Sequence, residues 1–344
     1  MIFNPKKISH YLITIGIILT VSTFANKLKA SNNKSDEEEL IRNYLLNESP
    51  LYGYNRPKLW IHSTYEINAR KWKDFHSRNT NDLNQPYIHH TIKSIINHCG
   101  NDFNVCLIDD ESFSKLLPSW DVDVASLAEP IRHQMRELGM AQLLYVYGGM
   151  VVPNTFVCTK SLAGFYMENI NNGKPFVCES VNRTLSTNGS PLFVPSTYFM
   201  GANKNDHVMS EMVEYIKHTQ RSGHISSETD VMGALSKKCS ELIANNQMNL
   251  VGGERIGIKT NDKKPVLLED LLEEAHLDLY HGIVGIYIPG NEIIKRSKYQ
   301  WFSVMPIDQL TETNMIIVKY LLASSVDCDR IHQNEGMNHM VVSI

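Results

Sequence analysis

The sequence predicts an α/β domain whose mostly parallel sheet is buried on both faces. Three observations carry that prediction. Short apolar runs bounded by Gly, Pro, Asn and Asp alternate with longer segments of helical period along residues 57–245. The runs Lys58–Ser63, Phe103–Ile108 and Met150–Val157 are almost continuously apolar, as suits strands covered on both sides. A chain of 344 residues, 42% hydrophobic and 20% charged, has the material for a large core.

Each element has a local reason. Lys58–Ser63 follows Pro57 and reads as the first strand. Residues 65–76 read as a helix or an ordered loop. Gln85-Pro86 opens a helix with proline in its first turn, and Gly100 stops it beyond His98. Phe103–Ile108 is a second strand closed by Asp109-Asp110, and Pro130–Tyr147 is a helix ended by Gly148-Gly149. Met150–Val157, Pro175–Glu179 and Thr197–Gly201 follow as strands, and residues 205–220 and 228–245 as helices. Ser227 and Asp230 have the spacing of a capping box at the start of the last of these.

The N-terminus has a different character. Lys6 and Lys7 precede an uncharged 18-residue stretch, Ile8–Ala25, close to the length needed to cross a bilayer. Residues 1–9 then form a tail, 10–26 a transmembrane signal-anchor, 27–56 a polar stalk, 57–330 the folded domain and 331–344 a C-terminal tail. The expected localisation is a single-pass membrane protein, of a host endomembrane or a virion membrane. Secretion after cleavage near Ala25 or Ala30, or a buried helix of the fold, are the competing readings. A short helix is expected within the stalk at residues 40–46. Residues 1–34 carry five lysines and no acid, so a net charge of −4 for the whole chain leaves −9 on the remainder. A domain that acidic is not expected to bind nucleic acid by charge.

Several chemistries lack their residues. Six cysteines with no Cys-x-x-Cys pair argue against a zinc ribbon or a disulfide-dense scaffold. His89, His90, His98, His276 and His281 have no spacing that compels a metal site. Cys99 beside His98 reads as a core thiol, and Tyr299, Trp301 and Phe302 as core or lid aromatics. Gly252–Gly257 followed by Ile258-Lys259 nearly reproduces a phosphate-binding loop, but the extra isoleucine displaces the lysine, so the segment reads as a turn.

The most informative segment is Glu137–Phe156, ELGMAQLLYVYGGMVVPNTF. It resembles the sugar-transferase signature Asp-x-x-Arg-x-x-x-Leu-Tyr-x-Tyr-Gly-Gly-x-Tyr-x-Asp-x-Asp, found in the family of initiating mannosyltransferases and capsular-polysaccharide transferases. Pro57–His62 (PKLWIH) is similar to that family's Pro-Lys-Ile-Ile-His-Gln opening, and Asp109-Asp110 stands where the family often has an acid. The resemblance covers about residues 57–220, and the Asn-, Ile- and Lys-rich composition is similar to that of large-DNA-virus relatives. It implies a GT-A-like, Rossmann-like nucleotide-sugar domain, a nucleotide-sugar donor, a glycan acceptor and transfer of a hexose. It also implies a donor site drawn from Trp60, His62, Tyr147, Gly148, Gly149 and Asn154, to which the spacing of the residues themselves adds Arg132 and Arg136.

The departures are as informative. The family's paired aspartates hold a divalent metal against the donor diphosphate. Here those positions read Pro153 and Thr155, with Asn154 between them, while the family arginine falls on Met140 and its aspartate on Glu137. No metal ligand and no resident cofactor are therefore expected. Arg132 and Arg136, one helical turn apart, are candidates to bind the diphosphate in the metal's place; the alternative pairs them with Glu129 and Glu137 on the surface. Glu179 is a candidate base or an exposed strand-end charge. Two functions follow: a metal-altered glycosyltransferase-like protein, or an inactive pseudo-enzyme serving as a binding or virion-structural protein.

Overall fold

The computed structural model describes residues 56–63, 85–187, 190–222 and 227–324, with the side chains of 183–192 and 222 left out. The expected anchor at 10–26, the short helix at 40–46, the segment 65–76 and the C-terminal tail lie outside the described residues. No helix among the described residues is long and apolar enough to cross a membrane.

The domain is α/β, with a six-stranded sheet in the order β2-β1-β3-β6-β5-β7. The strands are β1 Lys58–His62, β2 Asn104–Ile108, β3 Gly149–Val151, β5 Phe176–Thr187, β6 Ser190–Ala202 and β7 Asn249–Val251. β4 Phe156–Cys158 and β8 Gly285–Tyr287 form a separate antiparallel pair. β1 runs parallel to both β2 and β3, and β5 parallel to β7, while β6 is antiparallel to its neighbours β3 and β5. Five strands therefore point one way and β6 alone points back.

The helices include α1 Pro86–Cys99, α2 Ser112–Leu116, α3 Ile131–Tyr147, α4 Ala163–Ile170, α5 His207–Ser222, α6 Glu228–Ala244, α7 Leu268–Leu272, α8 Gly290–Lys295, α9 Gln300–Ser303 and α10 Ile307–Thr311, and residues 316–324 are helical as well. Alternation along the strands sends Trp60, Cys106, Val151, Val177 and Met200 into a core with α3, α5 and α6. The opposite face places Phe156, Phe165, Phe176 and Phe199 in edge-to-face contacts. A second core, under β4 and β8, joins Tyr87, Val157, Ile286, Phe302 and Ile317.

Two expectations need correction. The strand expected over Met150–Val157 is two strands in different sheets. Pro153 follows the last sheet residues, and the turn through Asn154 and Thr155 carries the chain over to pair with β8. The strands expected at Pro175–Glu179 and Thr197–Gly201 are 12 and 13 residues long. Beyond Cys178 their paired partners are each other, because β7 and β3 are only three residues long. Of the aromatics expected in a core or a lid, Tyr299 and Phe302 are buried and Trp301 is 45% exposed.

Helix ends follow their sequence signals. α6 carries the full capping box between Ser227 and Asp230. α3 ends where Gly148 and Gly149 adopt φ of 70° and 101°. A Cβ at Gly149 would stand 2.1 Å from the Lys58 carbonyl oxygen, so the double glycine is required by the approach of β3 to β1.

Candidate functional site

The crossovers define a topological switch point. From β1 the chain goes to β2 on one side and, after α3, to β3 on the other, so the strand order reverses at β1. In open α/β sheets ligands bind outside the carboxyl ends of the strands at such a point. Here those ends are His62-Ser63, Asp109-Asp110 and Pro153-Asn154.

At this edge a charged triad is assembled from three elements. Asp110, just past β2, accepts from Arg136 of α3 through both carboxylate oxygens, at 2.8 Å from Nε and 2.7 Å from a terminal nitrogen. The same carboxylate lies 3.0 Å from His62 Nε2 at the end of β1. The His62 ring stacks on Phe113, with centroids 5.6 Å apart. Burial alone would raise the Asp110 pKa, but the hydrogen bonds from His62 and Arg136 outweigh it and hold the carboxyl well below the usual carboxylate range. Asp109 stands apart from this triad. Its carboxylate accepts from the Ser112 amide and hydroxyl at the first residue of α2.

Of the candidate donor residues, His62, Arg136 and Asn154 share this edge. The Asn154 amide donates to Ser63 Oγ at 3.4 Å, and its carbonyl accepts from Thr91 of α1. The others lie elsewhere. Tyr147 is eleven residues along α3 from Arg136, about 16 Å at 1.5 Å per residue, which puts it with Gly148 and Gly149 at the amino edge of the sheet. Its hydroxyl donates to the Leu116 carbonyl at 2.7 Å. Trp60 has no exposed surface and donates Nε1–H to the Gly148 carbonyl at 3.0 Å. These four are packing and turn residues rather than parts of the crevice.

The arginines also depart from expectation, since neither pairs with Glu129 or Glu137. Arg132 donates to the Leu127 carbonyl at 2.7 Å and to that of Ala125 at 3.4 Å, which fastens the loop before α3. Glu129 accepts from the His133 amide, and Glu137 from the Thr197 hydroxyl at 2.7 Å. Glu179 is neither a strand-end charge nor exposed. It lies within β5, ion-paired to Lys259 and accepting from the Gly253 amide at 2.8 Å. Lys259 also stands 4.2 Å from the centre of the Phe193 ring. The near-miss phosphate loop thus spends its lysine on a carboxylate.

The position that corresponds to the second aspartate of the resembled signature is closed as well. Thr155 is 7% exposed and donates its hydroxyl to the Ile288 carbonyl at 2.7 Å. The Ile288 amide returns a bond to the Thr155 carbonyl at 3.2 Å. A Cβ added at Gly290 would come within 2.8 Å of the Thr155 methyl, so the space behind this side chain is filled. Among the described residues no group of three or more His, Cys, Asp and Glu is placed to hold a metal ion.

No family model matches the chain, and no curated protein matches it in sequence. The site is therefore argued from its residues.

Sequence reasoning missed His133. Its ring sits between Glu137 and Glu228, 3.9 Å from each by opposite nitrogens, and edge-on to Tyr198. His133, Arg136, Glu137 and Met140 lie at i, i+3, i+4 and i+7, so one stripe of α3 is turned inward although three of its members are polar. That interruption of an apolar stripe was the only available signal.

Proposed function

We propose that the domain is a GT-A-like nucleotide-sugar domain that transfers a hexose to a glycan acceptor without a divalent metal at the Pro153–Thr155 turn. The observation that carries the metal-free part is the Thr155 hydroxyl. It is committed to the Ile288 carbonyl inside a packed seam, where an oxygen ligand would have to face outward to reach a metal. The site reading is supported by the crevice at the carboxyl edge, where His62, Asp110, Arg136 and Asn154 converge. Residues 10–26 would anchor this domain in a membrane, and carbonate extraction of the full chain tests that: recovery in the supernatant removes the anchor from the proposal.

A second reading has its own support. Arg136 is already neutralised by Asp110, so a diphosphate would have to share it. That favours a protein that keeps the fold and binds without transferring. The experiment is titration of the full chain with a panel of nucleotide sugars, with manganese and with chelator, followed by assay for sugar release or transfer. Chelator-resistant binding that weakens in Arg136→Met, together with turnover, supports the transferase. Binding without turnover supports the second reading. No binding at millimolar donor overturns both, and manganese-dependent binding overturns the metal-free site.

A further inference from the structure

We propose that Cys99 and Cys158 are a redox pair that closes into a disulfide under oxidising conditions and fixes α1 against the turn that carries Asn154. This inference is independent of the sugar chemistry above. Cys99 is the last residue of α1 and Cys158 the last of β4. Their sulfurs are 3.8 Å apart, although the residues are 59 apart in sequence.

The contact is the end of a seam. Along one side of α1, Thr91 Oγ1 donates to the Asn154 carbonyl, Ser94 Oγ accepts from the Cys158 amide at 2.9 Å, and Cys99 reaches the Cys158 sulfur. From the other direction Ser324 Oγ donates to the Cys158 carbonyl at 2.8 Å. The backbones that carry the two thiols are thus held against each other by hydrogen bonds, and the sulfurs meet as the chain folds. The Cys158 thiol donates to the Lys160 carbonyl at 3.0 Å, a bond that oxidation gives up. Both residues are fully buried, but Asn101 and Asp102, just after Cys99, are exposed, so a small oxidant gains access by fraying at the end of α1. Cys106, Cys178 and Cys239 are also buried, and no sulfur–sulfur contact joins them among the described residues.

The oxidant is a small-molecule disulfide of the glutathione type. One protein thiolate attacks it, forming a mixed disulfide and releasing one small thiolate. The second protein thiolate then attacks the protein sulfur of that mixed disulfide, forming the Cys99–Cys158 bond and releasing the other small thiolate. Two protein thiols lose two electrons and two protons, and one small disulfide becomes two thiols.

The test uses the full chain equilibrated in glutathione buffers from fully reduced to fully oxidised, then denatured without reductant. Of the six cysteines, four are expected to stay titratable in the oxidised sample. Non-reducing peptide mapping should link the peptides of Cys99 and Cys158, with a mass lower by two hydrogens. Reductant should lower the midpoint of thermal unfolding by on the order of 10 °C, as expected for opening a loop of this length in a domain of this size. Cys178→Ser should keep the link and Cys158→Ser should abolish it. Should Cys158→Ser fail to fold, the peptide map of the unsubstituted chain decides alone. Six titratable thiols after equilibration with excess oxidised glutathione, or a link between other cysteines, overturns the proposal.

Discussion

Replacing Thr155 with aspartate restores the residue that the sugar-transferase signature has at this position, and the structure predicts that it disrupts the fold instead of building a metal site. Thr155 donates to the Ile288 carbonyl at 2.7 Å and is 7% exposed. Removing the donor alone, as in Thr155→Val, keeps the shape and leaves the Ile288 carbonyl with the Gly290 amide at 2.8 Å as its remaining donor, which costs about 0.5–1.5 kcal/mol. Thr155→Asp removes the donor, places a carboxylate against the carbonyl oxygen, and buries a charge with no cation beside it. Such a group costs about 3–5 kcal/mol. Domains are stable by about 5–15 kcal/mol, so the loss is a large fraction of the total. The assay is urea denaturation of the unsubstituted chain, Thr155→Val, Thr155→Asp and Pro153→Asp with Thr155→Asp, with and without manganese. The expected order of midpoints is unsubstituted, then Val, then either aspartate variant, with no recovery in manganese. An aspartate variant as stable as the Val variant, or one restabilised by micromolar manganese, would refute the reasoning, because Thr155 would then be able to turn out into the crevice.

The remaining predictions concern charges and backbone. Lys259→Met leaves the part-buried Glu179 carboxylate with the Gly253 amide and without its cation, and should cost about 1–3 kcal/mol by denaturant midpoint, whereas Glu179→Gln, which keeps an acceptor for that amide, should cost less. Because Asp110 is depressed in the folded state, its contribution is complete above its unfolded pKa of about 4 and is lost as pH falls from there toward the folded value. Asp110→Asn should therefore flatten the acid limb of stability between about pH 5 and pH 2 and change the neutral limb little in slope; an unchanged acid limb removes Asp110 from the account. Gly149→Ala meets both a φ of 101° and the Lys58 carbonyl oxygen, and should cost about 4 kcal/mol or more, read as loss of soluble protein or of the cooperative unfolding transition.

What the sequence makes legible depends on how local the cause is. β1, β2, α1 and α3 are readable because each is specified by its own residues: an apolar run after Pro57, Pro86 at a helix start, the Gly148-Gly149 stop. The capping box of α6 is readable for the same reason. The long β5–β6 hairpin is not, because residues 180–191 mix Ser, Thr, Asn and Arg with single apolar residues and the short run Leu192-Phe193-Val194 stands between two prolines. Their pairing is fixed by the partner strand rather than by period. Beyond residue 248, β7, β8 and α7–α10 are three to six residues long, too short for any periodicity to register. At the site, residue types were legible and pairings were not. Nothing in the spacing of Asp110 and Arg136, or of Glu179 and Lys259 eighty residues apart, announces that they meet.

The two ion pairs show how carboxylates among the described residues are balanced by the protein's own cations. In a metal-dependent site the cation is the positive charge that lets carboxylates face the crevice. Here Asp110 at the carboxyl edge is met by Arg136, and Glu179 within β5 by Lys259. Both pairs draw one partner from a strand or strand end and the other from a separate segment, so each pair also ties that segment to the sheet. The consequence for binding is specific. An anionic ligand entering beside β1 must compete with Asp110 for Arg136 and His62, whereas a neutral polyol can accept from His62 and Arg136 and donate to Asp110 without displacing any of them. If the crevice binds a nucleotide sugar, the sugar hydroxyls suit the Asp110 end better than the phosphates do, and Asp110→Asn should weaken binding of the intact donor more than that of the nucleoside diphosphate alone. Equal weakening of the two would place the phosphates, and not the sugar, against Asp110.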